Sequence, residues 1–342
     1  MMKIFSVNDE RSVAGFYIFI YFLIFILTAF FYRNFFSIVV TTFAIVLILE
    51  PMVELLMRIK GMVRTLAMSI ALTLFFFSFL ILMVLLTPQV IRQAGNFYNF
   101  LVNFFENKEW EVYFENYPDI KENISNILEN IQPKFLSFVA DSIAQITKTT
   151  PQVVSFFFYV ILGSIYLSIY LPEFKRNIGR MFPRKVRNYA VEFLRDGYKQ
   201  LRQYVVSLFI VAMIVGVTFW AFLMFMGVKY SILLGFWAAL TNLIPIIGVV
   251  LEVIPILLTG ISMGVSGIVA MVIAIFAIHT TAFVIFLKLM KGYIKINPVA
   301  IIFMILFMTE FLGFIGAFVA VPIAILMRVF WNHFVSPKFE EG

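Results

Sequence analysis

The sequence predicts an all-α, polytopic membrane protein with about eight membrane segments, each of about 20 apolar residues. Composition is the first reason: 62% of the residues are hydrophobic and 13% charged, whereas a soluble domain carries about 25% charge. The second is the length of the apolar runs. The third is where the charges fall: the basic residues sit in the gaps between those runs, as in cytoplasmic loops that fix orientation. The net charge of +7 therefore reads as membrane topology, with no nucleic-acid partner. The chain has no cysteine, which removes disulfide and thiolate chemistry.

Residues 1–87 hold three spans. Lys3, Asp9, Glu10 and Arg11 precede the first run without a small-residue cleavage site, so they read as a cytoplasmic lead-in and not a removed signal peptide. The first span is 14–32. A turn at Arg33 and Asn34 leads to a shorter run, 35–49, closed by Glu50 and Pro51. A polar patch carrying Arg58, Lys60 and Arg64 precedes the third span at 65–86.

Residues 88–150 leave the membrane pattern, with five basic and eight acidic residues. Ile120, Ile124, Ile127, Leu128 and Ile131 recur at helical spacing, so the expectation is an extramembrane amphipathic helical module. Trp110, Tyr113 and Phe114 give it aromatic faces for a bilayer or a partner. Residues 151–171 form the fourth span. Residues 172–204 are strongly basic, and their apolar positions (Val186, Tyr189, Phe193; Tyr198, Leu201) predict amphipathic helices on the cytoplasmic surface, drawn to anionic headgroups.

Residues 205–335 form the C-terminal membrane core, with broken segments at 233–262 and 298–324. The stretch 243–255 reads L-I-P-I-I-G-V-V-L-E-V-I-P. Pro245 and Pro255 lack the N–H a helix needs, and Gly248 adds backbone freedom. Glu252 is an ionisable group at membrane depth, which usually faces a bundle interior. A freed backbone carbonyl there must find a partner in protein or in a watery cavity. A kinked helix with an interfacial glutamate is the plainer reading of the same residues.

Charge counts bear on the topology. With the N-terminus inside, the loops 54–64 and 172–203 fall inside and 88–150 outside. A plain span over 231–258 would then put Lys288, Lys291 and Lys295 outside, against the rule. A re-entrant segment at 233–262 returns them inside. The tail from Pro298 would run about 51 Å as one helix, longer than a hydrocarbon core of about 30 Å. A second hairpin turning near 312–315 keeps the C-terminus inside as well. The two segments also resemble each other. Placing Gly248 on Gly316 pairs Ile244 to Gly248 with Leu312 to Gly316, each followed by an apolar run ending in proline (Pro255, Pro322) and each near one carboxylate (Glu252, Glu310). Gly/Pro-interrupted segments in corresponding positions point to a transporter's binding site.

The order of these pieces resembles the autoinducer-2 exporter family of bacterial membrane proteins over nearly the whole chain. Glu50-Pro51 with Arg64 and Ala67, Phe182-Pro183 leading to Tyr204, Asn242 to Gly248 with Pro255, Ile296-Asn297-Pro298, and Gly313 to Ala317 with Ala320-Val321-Pro322 carry the likeness. It implies several spans in a bacterial cytoplasmic membrane, a transport role and a homo-oligomer, with a ring such as a pentamer among the arrangements it admits. Family members are described as exporters of autoinducer-2, and some as sodium/proton antiporters. Departures fall at Ser207-Leu208, at Phe286-Leu287-Lys288 and at Asn297, where relatives often carry other polar groups, so the substrate is left open.

The candidate chemistry is a proton or cation relay at Glu252 and Glu310, with His279 as a third member or simply a polar group satisfied by a neighbouring helix. Gly264-Val265-Ser266-Gly267 resembles an intramembrane serine protease motif, but Ser266 and His279 lie about 20 Å apart on one helix, and nucleophilic catalysis needs about 3 Å. No Walker-type loop is present, and two histidines without cysteine disfavour a transition-metal site. Gly260, Gly264 and Gly267 fit close helix packing. The reading is a secondary transporter with no catalytic residue, metal or cofactor. Its path is expected at Asn242, Pro245, Gly248, Glu252, Pro255, Asn297, Pro298, Glu310, Gly313, Gly316 and Pro322, and it carries a small polar solute, or Na⁺ against H⁺. A membrane scaffold that binds a partner through 88–150 is the reading of another class.

Overall fold

A computed structural model describes residues 10–148, 150–290 and 297–340. Lys3, Asp9, Lys291, Lys295 and Ile296, used above, lie outside the described residues. Every regular element among the described residues is helical. In chain order these are α1 (Glu10–Phe31), α2 (Arg33–Leu56), α3 (Arg64–Glu106), a 3₁₀ turn (Glu109–Phe114), α4 (Pro118–Lys148) and α5 (Thr150–Asn177). After a second 3₁₀ turn (Ile178–Met181) come α6 (Arg187–Phe225), α7 (Ser231–Thr241), α8 (Ile247–Ile261), α9 (Gly264–Met290), α10 (Pro298–Leu312) and α11 (Phe314–Phe330). A π-helical turn (Trp331–Val335) and the short α12 (Pro337–Glu340) close the described chain. Seven of these helical stretches are long and apolar enough to cross a membrane, and α7, α8 and α10 are shorter apolar helices. Large apolar side chains face outward along the long helices, Phe225 at 87% and Phe276 at 75% exposure. Hydrocarbon leaves such residues no reason to hide.

Helix ends run past the hydropathy boundaries in several places, α2 through Pro51 to Leu56 and α5 through Pro172 to Asn177 among them. The third span and the start of the 88–150 module form one 43-residue helix that passes through Pro88. One proline removes one hydrogen bond, and the turns on either side keep theirs. Likewise the later part of the basic stretch, from Arg187, and the following span are one 39-residue helix, α6, since no proline interrupts residues 187–225. The amphipathic helix expected around Ile120–Ile131 is α4, with Leu128 buried and Ile127 exposed. Trp110 is buried against Phe104 and the buried Phe114 within their own unit, and Tyr113 is exposed.

Contacts group the chain into two compact units: Met1–Phe76, Phe156–Ser207 and Leu289–Gly342 in the first, Phe77–Ser155 and Leu208–Lys288 in the second. In the first unit, Leu49 and Val53 of α2 pack on Ala67, Met68, Ala71 and Leu72 of α3. Beside them Glu50, almost fully buried, meets Arg64 at 2.6 Å, Lys175 at 3.6 Å and Arg202 at 3.9 Å. The Lys175 ammonium lies 3.6 Å from the centre of the Tyr198 ring. α10 and α11 pair as a hairpin hinged at Gly313, whose φ is +62°.

In the second unit, α7 and α8 form the other hairpin. At 11 and 15 residues they extend about 17 and 23 Å, less than a hydrocarbon core of about 30 Å. Tyr230, just before α7, and Ser262, just after α8, line the same cavity. Both ends of the hairpin therefore lie together and its tip points away from them. At the join of α8 and α9, a Cβ on Gly267 would come 2.5 Å from the Gly260 carbonyl oxygen, the close packing expected of those glycines.

Candidate functional site

The α7–α8 tip is built from backbone constraints. α7 ends at Thr241, and Asn242 closes it, with its backbone N–H on the Ala238 carbonyl at 3.1 Å and its side-chain amide on the same oxygen at 2.8 Å. The chain reverses at Ile246, with φ +70° and ψ −61°. The Ile247 N–H donates back to the Pro245 carbonyl at 2.8 Å, which makes a γ-turn of the rare, strained kind. A β-branched residue at positive φ is a real outlier. Gly248 then passes against α7, where a Cβ would sit 1.8 Å from the Thr241 carbonyl oxygen. Only glycine fits.

Pro255 does not break α8, which runs unbroken from Ile247 to Ile261. The proline deprives the Leu251 carbonyl of its helical donor. The Trp237 indole N–H supplies one from α7 at 3.0 Å. The break expected across 243–255 is thus confined to the few residues before α8, and the freed carbonyl finds a protein partner.

Inside this hairpin Glu252 is completely buried. Its Oε2 accepts from the Thr241 hydroxyl at 3.3 Å and from the Asn242 side-chain amide. Its Oε1 meets Nε2 of His279 on α9, and the imidazole lies near the ring of the buried Phe219 of α6. A carboxyl and an imidazole in direct contact can pass a proton between them. Both carboxylate oxygens are engaged, as burying a charge or a polar group demands.

Of the expected path residues, Asn242, Pro245, Gly248, Glu252 and Pro255 thus gather at one hairpin. The others belong to the first unit. Asn297 caps α10, its side chain accepting from the Val299 N–H at 2.9 Å with Pro298 in the first turn. Gly313 is the hinge, and a Cβ on Gly316 would lie 1.8 Å from the Met308 carbonyl oxygen. Pro322 sits inside α11. Glu310 is exposed on α10, unlike Glu252. Gly248 and Gly316, paired by sequence, do the same thing: each lets the second helix of its hairpin cross the last carbonyls of the first. Thr241 and Trp237 were not singled out from the sequence. Their roles depend on contacts across the hairpin, and no local motif announces those.

A family model described as AI-2E family transporter matches residues 19–336. The chain belongs to this family. A Thermotoga maritima relative named "Putative transport protein" is 35% identical over 328 residues, 95% of each chain. A Bacillus subtilis relative, YrrI, carries the same kind of name and is 25% identical over 302 residues, covering 82% of this chain and 81% of its own. With the seven apolar helices long enough to span, membership gives this AI-2E family protein a role in membrane transport.

Proposed function

We propose that this protein is a secondary transporter that exports a small polar solute across the bacterial cytoplasmic membrane, working as a homo-oligomer with both termini in the cytoplasm. The observation that carries this reading is the fully buried Glu252, enclosed by Thr241, Asn242 and His279 at the tip of a hairpin too short to cross a bilayer. A hairpin that enters and leaves on one face, with broken backbone and a carboxyl at its deep end, is how transporters place a coupling site at membrane depth. The clustering of both hairpin ends at one cavity supports re-entry, and so does the positive-inside count. Chemically, the Glu252–His279 contact accepts a proton or releases one as the hairpin opens, which would drive a solute against it.

The same contact favours a second reading, Na⁺/H⁺ antiport, in which the solute site holds the cation. Proton flux in proteoliposomes carrying a pH dye, after a Na⁺ pulse, separates the two for wild type and for Glu252→Gln. Flux in the wild type that the substitution abolishes makes the protein a cation/proton antiporter with Glu252 in the relay. Silence in both removes antiport and leaves organic-solute export, measured next with labelled autoinducer-2. Uptake of neither, across solutes and gradients, would leave the partner-binding scaffold.

A further inference from the structure

The second unit holds a cavity of about 670 Å³, a size that suits a small organic molecule. One wall is the far end of α3, where Asn96, Asn99 and Asn103 line it. Their spacing puts all three on one helix face, and all three are exposed while Phe97 and Leu101 turn to the core. Trp110 and Tyr113 of the 3₁₀ turn close a second side, and the α6–α7 turn with Lys229 a third. The floor is the end of α8, with Thr259 and Ser262.

Two features decide what such a space holds. Amide side chains both donate and accept, and hydroxyls do likewise, so three asparagines with a serine and a threonine match hydroxyl and carbonyl groups of a ligand. Aromatic rings cover the apolar faces such a ligand also has. Among the described lining residues Lys229 is the one that is charged, and none carries a carboxylate. A bare cation seeks carboxylate oxygen and is repelled by the ammonium. Thr259 also sets the distance from the cavity to the buried carboxyl. It follows Glu252 by seven residues on α8, which puts it on the same face about 10 Å along the axis.

We infer that this asparagine-lined cavity is the outer vestibule of the Glu252 hairpin, through which the exported solute leaves, and that it takes a small polyhydroxylated organic solute, neutral or anionic, and refuses cations. The inference deepens the transporter reading and rests on it for the direction of travel, but binding in the vestibule is measurable without any flux.

The absence of cysteine makes the test clean. Ser262→Cys places a single near-isosteric thiol in the cavity floor, and Met263→Cys is a second reporter if the first fails to fold. The labelling rate with a membrane-impermeant maleimide is followed in proteoliposomes in the presence of sorbitol, gluconate or N-methyl-D-glucamine, which share a polyol body and differ in charge. Sorbitol and gluconate should slow labelling, by about tenfold at ten times the probe's Kd, and N-methyl-D-glucamine should not. Asn99→Leu with Asn103→Leu should keep the thiol reactive and abolish protection. Lys229→Gln should weaken protection by gluconate alone. Equal labelling under all three polyols, or protection by N-methyl-D-glucamine equal to that by gluconate, overturns the inference. Protection without transport of any solute would instead keep the vestibule and sink the transporter reading.

Discussion

The Trp237 indole N–H donates to the Leu251 carbonyl at 3.0 Å, the one carbonyl in α8 that Pro255 leaves without a helical donor. This bond ties α7 to α8 one residue before Glu252, so the proline and the tryptophan together set where the carboxyl sits.

The first prediction follows from that bond. Trp237→Phe keeps an aromatic ring, though a smaller one, and removes the donor, and should lower stability by about 1–3 kcal/mol, the usual loss when a low-dielectric carbonyl is left unpaired. Pro255→Ala restores a backbone N–H to Leu251. In that background the same tryptophan substitution should matter much less. Unfolding midpoints of the two single variants and the double variant form a cycle, and additive losses would show that the bond does not answer the proline.

Gly248 and Gly316 give the second. A Cβ at either would stand 1.8 Å from a backbone carbonyl oxygen, of Thr241 and of Met308 respectively, and a backbone atom cannot swing aside. Gly248→Ala and Gly316→Ala should each spread their hairpin and fail to yield folded, monodisperse protein. Gly95 lies inside α3 with nothing within 4 Å of its added Cβ, so Gly95→Ala should be neutral or stabilise by up to about 1 kcal/mol. Size-exclusion profiles of the three variants decide it, and a well-behaved Gly248→Ala would contradict the geometry.

These examples show how far the sequence could be read. The helical class and the spans follow from long apolar runs, because only a helix satisfies its own backbone in lipid. The two broken segments were legible from Pro245, Gly248, Gly313 and Gly316, which are local backbone signals. Helix ends were less so, since hydropathy reports where water begins and not where hydrogen bonding stops. That is why α3 and α6 run past the boundaries read from charge. The partners of Glu252 were half legible: Asn242 and His279 are polar groups in apolar runs, but Thr241 and Trp237 acquire meaning only when α7 folds back. The same holds for the cavity asparagines, which in sequence look like an ordinary solvated face.

The third prediction concerns charge in the first unit. Glu50 is almost fully buried among Arg64, Lys175 and Arg202, whereas Glu54, paired with Arg202 at 2.7 Å, has a side chain 53% exposed. Removing a buried partner leaves cations facing one another and disturbs four helices at once, a loss of about 3–5 kcal/mol. An exposed pair contributes about 0–1 kcal/mol. Glu50→Gln should therefore lower the unfolding midpoint far more than Glu54→Gln, and raised salt should narrow the gap little, since buried pairs are screened weakly. Equal effects would mean that the Glu50 carboxylate is solvated and the network ornamental.

The last prediction is about stored strain. Ile246 holds φ +70° with ψ −61°, a conformation that sets a β-branched side chain against its own backbone, and such residues store about 1–3 kcal/mol. Glycine relieves it, though its extra freedom in the unfolded chain returns roughly 0.5–1 kcal/mol of that gain. Ile246→Gly should thus leave the unfolding midpoint unchanged or raise it, while Val249→Gly, three residues on and inside α8, should lower it by about 1 kcal/mol. If the tip strain matters to function, the relaxed Ile246→Gly hairpin should also change transport rate without loss of fold, because strain at a hinge survives only where the surrounding structure holds it in place. Equal destabilisation by both glycines would show that the turn at Ile246 carries no strain to release.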